Sequence, residues 1–383
     1  MYNAGIIVGI IFFTPVWGID GVIYGVLIGA LFHMLIQIPF LLKEGFLPHF
    51  SRIRDMKTTL SVFTLSIPRT IALATTHISI LVLLSIASLL SEGSITVFAF
   101  SFNLQSVPLS LIGVSYSLAV FPTLSRLYNE SNMKEFLYNL VVSLKHIIFW
   151  SVPCAVLFIV LRAQIVRTIL GSGEFSWDAT RLTAALLAIF VVSVVFQGII
   201  LLFVRSYYAT GKTIKPLVVN IIGAIVTISS SYAFLSLFRS HQFFRDFLES
   251  LLRVSDVPGT EVLALALGFS LGSLVNGLVL WILCRADFGS FTRLLHRTLF
   301  EVFSASIVMG FVAYIGLSMF AGVFETTTTL GIFLQGLCAG ILGIFAGLSI
   351  LTLLKSQELK EMKGSLSKKL FKASVVGPDA EVV

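Results

Sequence analysis

Residues 182–204 read LTAALLAIFVVSVVFQGIILLFV, a predominantly apolar run that carries no charged side chain. A helix of this length rises about 1.5 Å per residue and crosses the roughly 30 Å hydrocarbon core of a bilayer. Because backbone polar groups cannot stay unpaired in lipid, the run is predicted to be a membrane-spanning helix. The whole chain agrees, since 57% of its residues are hydrophobic and only 12% are charged.

Similar apolar runs occupy most of the remaining chain, with nearly all charges between them. The predicted spans are 4–17, 21–42, 60–90, 94–122, 144–164, 179–204, 216–238, 260–284, 299–324 and 328–354. The first is at the short limit for a crossing helix. The predicted fold class is therefore all-α integral membrane, with about ten transmembrane helices.

The positions of the basic residues predict the orientation. If the chain starts inside and crosses ten times, nineteen of its 26 lysines and arginines lie in inner loops or in the tail 355–383. Six lie in outer loops, and Arg69 lies within a span. This bias places both termini in the cytoplasm. The net charge of +7 then reflects topology and contact with anionic membrane lipids, and no nucleic-acid partner is predicted.

The motifs of membrane enzymes and metal sites are not found. The sequence holds no paired carboxylates, histidine cluster, Gly-x-Ser-x-Gly or phosphate-binding loop, so no enzyme is predicted. All acidic residues lie in loops, in the tail or at span ends, which leaves no buried carboxylate relay for protons or cations. Cys154, Cys284 and Cys338 lie in spans without metal-type spacing, and neither a metal nor a cofactor is predicted.

Arg69 is the first candidate for substrate binding. It follows Pro68 within the third predicted span, where a charge is costly and indicates a functional site. Arginine keeps its proton, and its planar fork suits phosphate. Thr76 shares its helical face, and His77 is displaced by less than a quarter turn. The alternative is an arginine that reaches the inner headgroups while its stem stays in lipid.

Two further groups of polar residues are weighed in the same way. Asn103 and Gln105, in FNLQSVP (102–108), are candidates for substrate binding or for hydrogen bonds between helices. The inner loop VRSYYATGKTIKP (204–216) combines basic and aromatic side chains, which fits either an inner gate that contacts headgroups or the usual inner charges with an aromatic belt. The candidates there are Arg205, Tyr208, Lys212 and Lys215.

Two segments echo each other. GVLIGALFH (25–33) and GFSLGSLVN (268–276) both contain Gly-x-x-x-Gly followed four residues later by a polar residue. Such glycines let helices approach closely, and the shared register predicts two six-helix repeats, the first represented by its last two helices.

In the outer loop 239–258, apolar residues at helical spacing predict a short amphipathic helix. This helix either lies on the outer surface or packs between two spans.

Four stretches resemble the MurJ family of bacterial lipid II flippases, within the multidrug/oligosaccharidyl-lipid/polysaccharide exporter superfamily. They are SIPRTIALATTHISILVLLSIAS (66–88), FNLQSVP (102–108), GVSYSLAVFPTLSRL (113–127) and VRSYYATGKTIKP (204–216). Family members have fourteen spans, two six-helix lobes and two extra helices, so four spans would be expected before Met1. The implied domains are the end of an N-lobe with its inner loop (1–58), a C-lobe (59–298), two helices forming a lipid-tail groove (299–354) and a basic tail (355–383).

The resemblance implies a flippase in the bacterial inner membrane. It would move undecaprenyl-diphosphate-linked muropeptide, lipid II, from the inner to the outer leaflet by alternating access, with cell-wall synthesis proteins as further partners. The alternatives are a flippase or exporter for another polyprenyl-linked glycan or a drug, and an inactive membrane scaffold fragment. Some family members place an arginine in the span that corresponds to 94–122, where this sequence has Asn103.

Overall fold

The computed structural model describes residues 2–45, 56–171, 175–325, 327–362 and 364, and no β-strand occurs in these ranges. A short helical segment, 357–362, follows the last long helix. The helices are α1 Tyr2–Trp17, α2 Ile19–Lys43, α3 Met56–Ala87, α4 Ser94–Asn129, α5 Met133–Val160, α6 Arg162–Leu170, α7 Trp177–Ala209, α8 Ile214–Ser240, α9 Gln242–Leu252, α10 Leu263–Phe288, α11 His296–Phe320 and α12 Thr329–Leu353.

Within those ranges, nine helices are long and apolar enough to cross a membrane: α2, α3, α4, α5, α7, α8, α10, α11 and α12. They confirm nine of the ten predicted spans and the all-helical membrane class. The other prediction, 4–17, corresponds to the shorter apolar helix α1. The predicted amphipathic helix is present as α9.

Several helices extend beyond the predicted spans. Helix α4 continues to Asn129 and α5 begins at Met133, whereas the predicted spans ended at 122 and began at 144. These extensions carry charged and polar residues, which lower the hydropathy without breaking the helix. Hydropathy therefore located the most apolar parts of these helices and missed their charged ends.

The chain divides into two compact units, Met1–Val62 and Phe63–Val383. In the first unit, α1 packs on α2 through glycines. Gly9 faces Gly25, and Gly5 faces Gly29, so closely that a Cβ at any of them would collide with backbone. Both members of the first Gly-x-x-x-Gly pair therefore lie in this helix contact.

The second unit is organised around α7, the most apolar span. It is also the most buried of the candidate spans, and it contacts α4, α5, α6 and α10. Its N-terminal half packs in a core cluster around Phe190, and its C-terminal half packs in a second cluster around Phe203. The central helix thus fixes the positions of the helices that surround it.

Helices α8 and α10 form the tightest pair in the second unit. Gly268 of α10 lies against Ser231 of α8, and Gly272 lies against Thr227. In both units, therefore, the helix that carries Gly-x-x-x-Gly packs this motif against the apolar helix that precedes it in the sequence. This shared contact is the packing expected if the two segments are the same element of two repeats.

Helices α11 and α12 pack against each other through small residues, including Gly316 on Ala339 and Gly343 on Ala313. Helix α11 also contacts α5, and α12 contacts α6. Both helices belong to the second compact unit.

Candidate functional site

A cavity of about 490 Å³ lies within the second unit, between α3, α4, α7, α8 and α10. Its polar lining comprises Arg69, Thr76, His77, Ser79, Gln197, Arg205, Tyr208, Asn220, Thr227, Ser273 and Asn276. Two side chains of this lining are guanidinium groups and none is a carboxylate. Because no acid neutralises the two cations from the cavity wall, the cavity favours an anionic ligand.

Arg69 lies near the N-terminal end of the apolar part of α3, which runs from Ser66 to Ala87. Its guanidinium carbon lies 4.5 Å from the ring centroid of Tyr208, a cation–π contact. No ion pair with Arg69 occurs among the described residues. Its N–H groups therefore remain available to a ligand in the cavity, while the aromatic ring limits where the charge can move.

Arg205 lies in the last turns of α7 and is held by hydrogen bonds to α4. Its Nη1 donates to the carbonyl oxygen of Val114 at 3.0 Å and to Ser117 Oγ at 2.6 Å. Ser117 is fully buried and in turn donates to the carbonyl oxygen of Gly113. One edge of this guanidinium is therefore held by hydrogen bonds to α4, and its remaining N–H donors can bind an anion bidentately.

The course of α4 explains how Arg205 reaches these acceptors. After Pro108 the helix widens into a π-helical segment, Leu109–Val114. Within it, Gly113 approaches α7 so closely that an added Cβ would lie 2.9 Å from the Cα of Gly198. Since π-helical segments are rare and recur at functional sites, this segment marks the part of α4 that serves the cavity.

Amide side chains form two hydrogen-bonded pairs beside the cavity. Gln197 Nε2 donates to Gln105 Oε1 at 3.2 Å and to Ser193 Oγ at 2.7 Å. Asn276 Nδ2 donates to Asn220 Oδ1 at 3.1 Å. Each pair links two helices, and one member of the first pair and both members of the second line the cavity. The pairs therefore stabilise helix packing and also present polar groups to a ligand.

The structure brings five of the predicted site residues to this cavity: Arg69, Thr76, His77, Arg205 and Tyr208. The others lie outside its lining. Gln105 is buried behind Gln197, and Asn103 is exposed. Lys215 pairs with Asp287 at 2.6 Å, and Lys212 lies 6.0 Å from the ring centroid of Phe288.

Four further polar lining residues were not among the predicted site residues: Asn220 and Thr227 of α8, and Ser273 and Asn276 of α10. Of these four, Asn276 could have been identified from the sequence, because it is the polar residue that follows the second Gly-x-x-x-Gly. The close contact of α8 and α10 explains why all four come together.

Comparisons with known proteins agree on one family. The family model described as "Lipid II flippase MurJ" matches residues 1–335. A "Probable lipid II flippase MurJ" of Bdellovibrio bacteriovorus is 30% identical over 221 residues, which cover 57% of this chain and 42% of that protein. A protein of the same description from Thermotoga maritima is 25% identical over 227 residues, which cover 59% of this chain and 45% of that protein.

A solved structure described as lipid II flippase MurJ in an inward closed conformation has the same fold. It aligns with 97% of this chain and 67% of its own length, with a TM-score of 0.66 and 21% identity. This chain spans less than half of the length of either curated relative.

Proposed function

The chain belongs to the lipid II flippase MurJ family, and we propose that it takes part in moving lipid II from the inner to the outer leaflet of the bacterial inner membrane. The observation that carries this proposal is the cavity with two guanidinium groups and no carboxylate in its lining. Both arginines belong to the inner ends of their spans, where lipid II would enter.

The two arginines suit the diphosphate of the proposed substrate. A guanidinium binds phosphate oxygens through two parallel N–H donors, with hydrogen bonds shorter and stronger than neutral ones. The Val114 carbonyl and Ser117 orient Arg205 before any ligand binds, so little rotamer entropy remains to be lost on binding. A hydrogen bond to a charged group contributes about 1.5–3 kcal/mol. Removal of one arginine is therefore expected to weaken binding roughly tenfold to a hundredfold.

Transport in this proposal requires two lobes that rock about the cavity. The second unit contains the cationic cavity, and we assign the glycine-packed pair α1–α2 to the other repeat. Helices α11 and α12 are proposed to accommodate the polyprenyl tail. The cavity volume of about 490 Å³ is that of an ordinary small-molecule site. We therefore assign it to the diphosphate and the adjoining sugar and not to the whole muropeptide.

Binding tests the proposal most directly. The purified chain in lipid nanodiscs is titrated with lipid II, with undecaprenyl monophosphate and with undecaprenyl diphosphate that carries an unrelated glycan. We expect both diphosphates to bind more tightly than the monophosphate, and Arg69→Ala to reduce their affinity at least tenfold. Arg126→Ala is the matched control, because Arg126 is an exposed arginine on the inner extension of α4. Equal affinities for all three lipids, or equal effects of the two variants, would refute the proposed site.

Transport is tested in cells depleted of their own lipid II flippase. The chain is expressed alone and joined to the N-terminal part of a MurJ relative, and lipid II export is measured by its accessibility at the outer surface. We expect the joined protein to restore export and its Arg69→Ala variant to fail. Preference for the unrelated glycan would favour the alternative polyprenyl substrate. Unchanged cellular phenotypes in the arginine variant would favour a scaffold.

A further inference from the structure

Helix α9, Gln242–Leu252, carries apolar residues in two adjacent stripes. The first stripe packs on the protein: Leu248 and Leu252 are buried, and the ring of Phe244 stacks on Phe234 at 6.3 Å. The second stripe is bare. Phe243 is 84% exposed, and Leu251 is 61% exposed.

The helical wheel shows where the bare stripe points. Successive residues turn by about 100°, so Phe243, Phe247 and Leu251 form one line immediately beside the packed stripe. The two stripes fill one half of the wheel. The charged and polar residues of the helix fill the other half: Gln242, Arg245, Asp246, Glu249 and Ser250.

Hydrogen bonds at its C-terminal end keep α9 from turning to hide the bare stripe. Arg162 Nη2 donates to the carbonyl oxygen of Leu252 at 3.1 Å, and Arg181 Nη2 donates to that of Arg253 at 2.7 Å. Thr260 Oγ1 donates to Glu249 Oε1 at 2.6 Å. The helix is thus held in one rotational setting with three large apolar side chains uncovered.

We propose that α9 is an interfacial helix whose bare stripe, Phe243, Phe247 and Leu251, inserts into the outer leaflet of the membrane. The helix begins two residues after the end of the span α8 and is followed closely by the span α10, so it lies at the membrane boundary. With the packed stripe on the protein and the polar half in water, the bare stripe is left to face lipid. This inference does not depend on the transport of lipid II.

Two arginines beside the C-terminal end of α9 define which lipid would be held there. Arg253 Nη2 donates to the hydroxyl of Tyr314 at 3.3 Å. Within the described ranges, neither Arg162 nor Arg253 is paired with a carboxylate. Burial, and then the neighbouring charge of Arg253, lower the pKa of the Arg162 guanidinium. Two guanidinium groups that are not themselves paired with a carboxylate fit the phosphate of an anionic phospholipid such as phosphatidylglycerol.

Depth measurements test the insertion. Single spin labels at Phe247 and Leu251, and at Asp246 and Ser250 on the polar half, are introduced into a cysteine-free full chain in phosphatidylglycerol-containing nanodiscs. We expect the first two labels to be accessible to oxygen and to lie roughly 5–10 Å below the headgroups. We expect the last two labels to be accessible to a water-soluble nickel reagent. Water exposure at all four positions would overturn the proposal.

Lipid retention tests the arginines with the same protein. Native mass spectrometry counts phosphatidylglycerol and phosphatidylcholine that stay bound after detergent extraction. We expect Arg253→Gln to lose phosphatidylglycerol about fivefold, whereas Arg245→Gln, on the polar half of the same helix, changes little. Equal retention of both lipids, or equal losses in both variants, would refute the binding of an anionic lipid at these arginines. Because no polyprenyl lipid is present, neither result bears on lipid II binding.

Discussion

Replacement of Ser117 by alanine tests whether α4 orients the arginine of the cavity. The serine hydroxyl accepts a 2.6 Å hydrogen bond from Arg205 and is fully buried. A hydrogen bond to a charged group is worth about 1.5–3 kcal/mol. Because Arg205 is partly exposed, water replaces part of the lost bond, and we expect Ser117→Ala to cost about 1 kcal/mol of stability. The guanidinium keeps its second acceptor, the carbonyl oxygen of Val114.

The assay combines thermal unfolding in detergent with diphosphate-lipid affinity. We expect Ser117→Ala to lower the apparent Tm by a few degrees and the affinity about fivefold, which corresponds to ~1 kcal/mol. In an Arg205→Ala background, the same serine substitution should have almost no further effect on affinity, because the partner is already gone. Additive losses in the double variant would refute the idea that the serine acts through the arginine.

Ser101→Ala is the matched control. Ser101 is a second fully buried serine of α4, and its hydroxyl is hydrogen-bonded to the carbonyl oxygen of Thr183 on α7 at 2.9 Å. It has no charged partner in the described part of the chain. We expect Ser101→Ala to cost comparable stability and to leave the affinity for the diphosphate lipid unchanged.

Three other perturbations test separate parts of the fold. Gly272→Leu would push α8 away from α10. We expect it to lower the free energy of unfolding by about 1–3 kcal/mol, measured as a lower apparent Tm. Gly322 has open space around it, so Gly322→Ala should leave the Tm unchanged. Burial raises the pKa of Glu358, but hydrogen bonds, the first from Thr298, outweigh it and hold this pKa below 4.5. The segment 357–362 should therefore stay docked above pH 4.5 and gain hydrogen exchange as the pH falls further, whereas Glu358→Gln should exchange fast throughout. A hydrogen bond from Arg181 lowers the pKa of Asp256 below 3.8, so the stabilisation from this pair should be present above pH 3.8 and absent from Asp256→Asn at every pH.

The sequence was most informative about the spans. Long uncharged runs such as residues 182–204 have one physical solution in lipid, a helix, so their existence could be predicted. The ends could not be predicted equally well. The first turns of α5, from Met133, are amphipathic and carry charges, and only packing on neighbouring helices shows that they continue the span.

The candidate site was predictable where a residue type was itself unusual. Arg69 stood out because a cation lay within an apolar run. Arg205 was identified only as part of a basic loop, although it projects from α7 into the same cavity. Its acceptor on α4 is a backbone carbonyl beside a π-helical segment, and no residue type in the sequence reports the direction of a carbonyl. Asn103 and Gln105 are two positions apart, so they face different directions on a helix, and spacing alone did not show which one faces α7.

The widened turn Leu109–Val114 gives α4 a rotational freedom that a uniform helix would not have. A π-helical turn accommodates one extra residue, and one residue corresponds to about 100° of rotation in an α-helix. If the same residues wound as an uninterrupted α-helix, the lower half of α4 would swivel by that angle relative to the upper half, and Ser117 would leave Arg205. A local rewinding of one span would then be enough to release Arg205 from its hydrogen bond to Ser117.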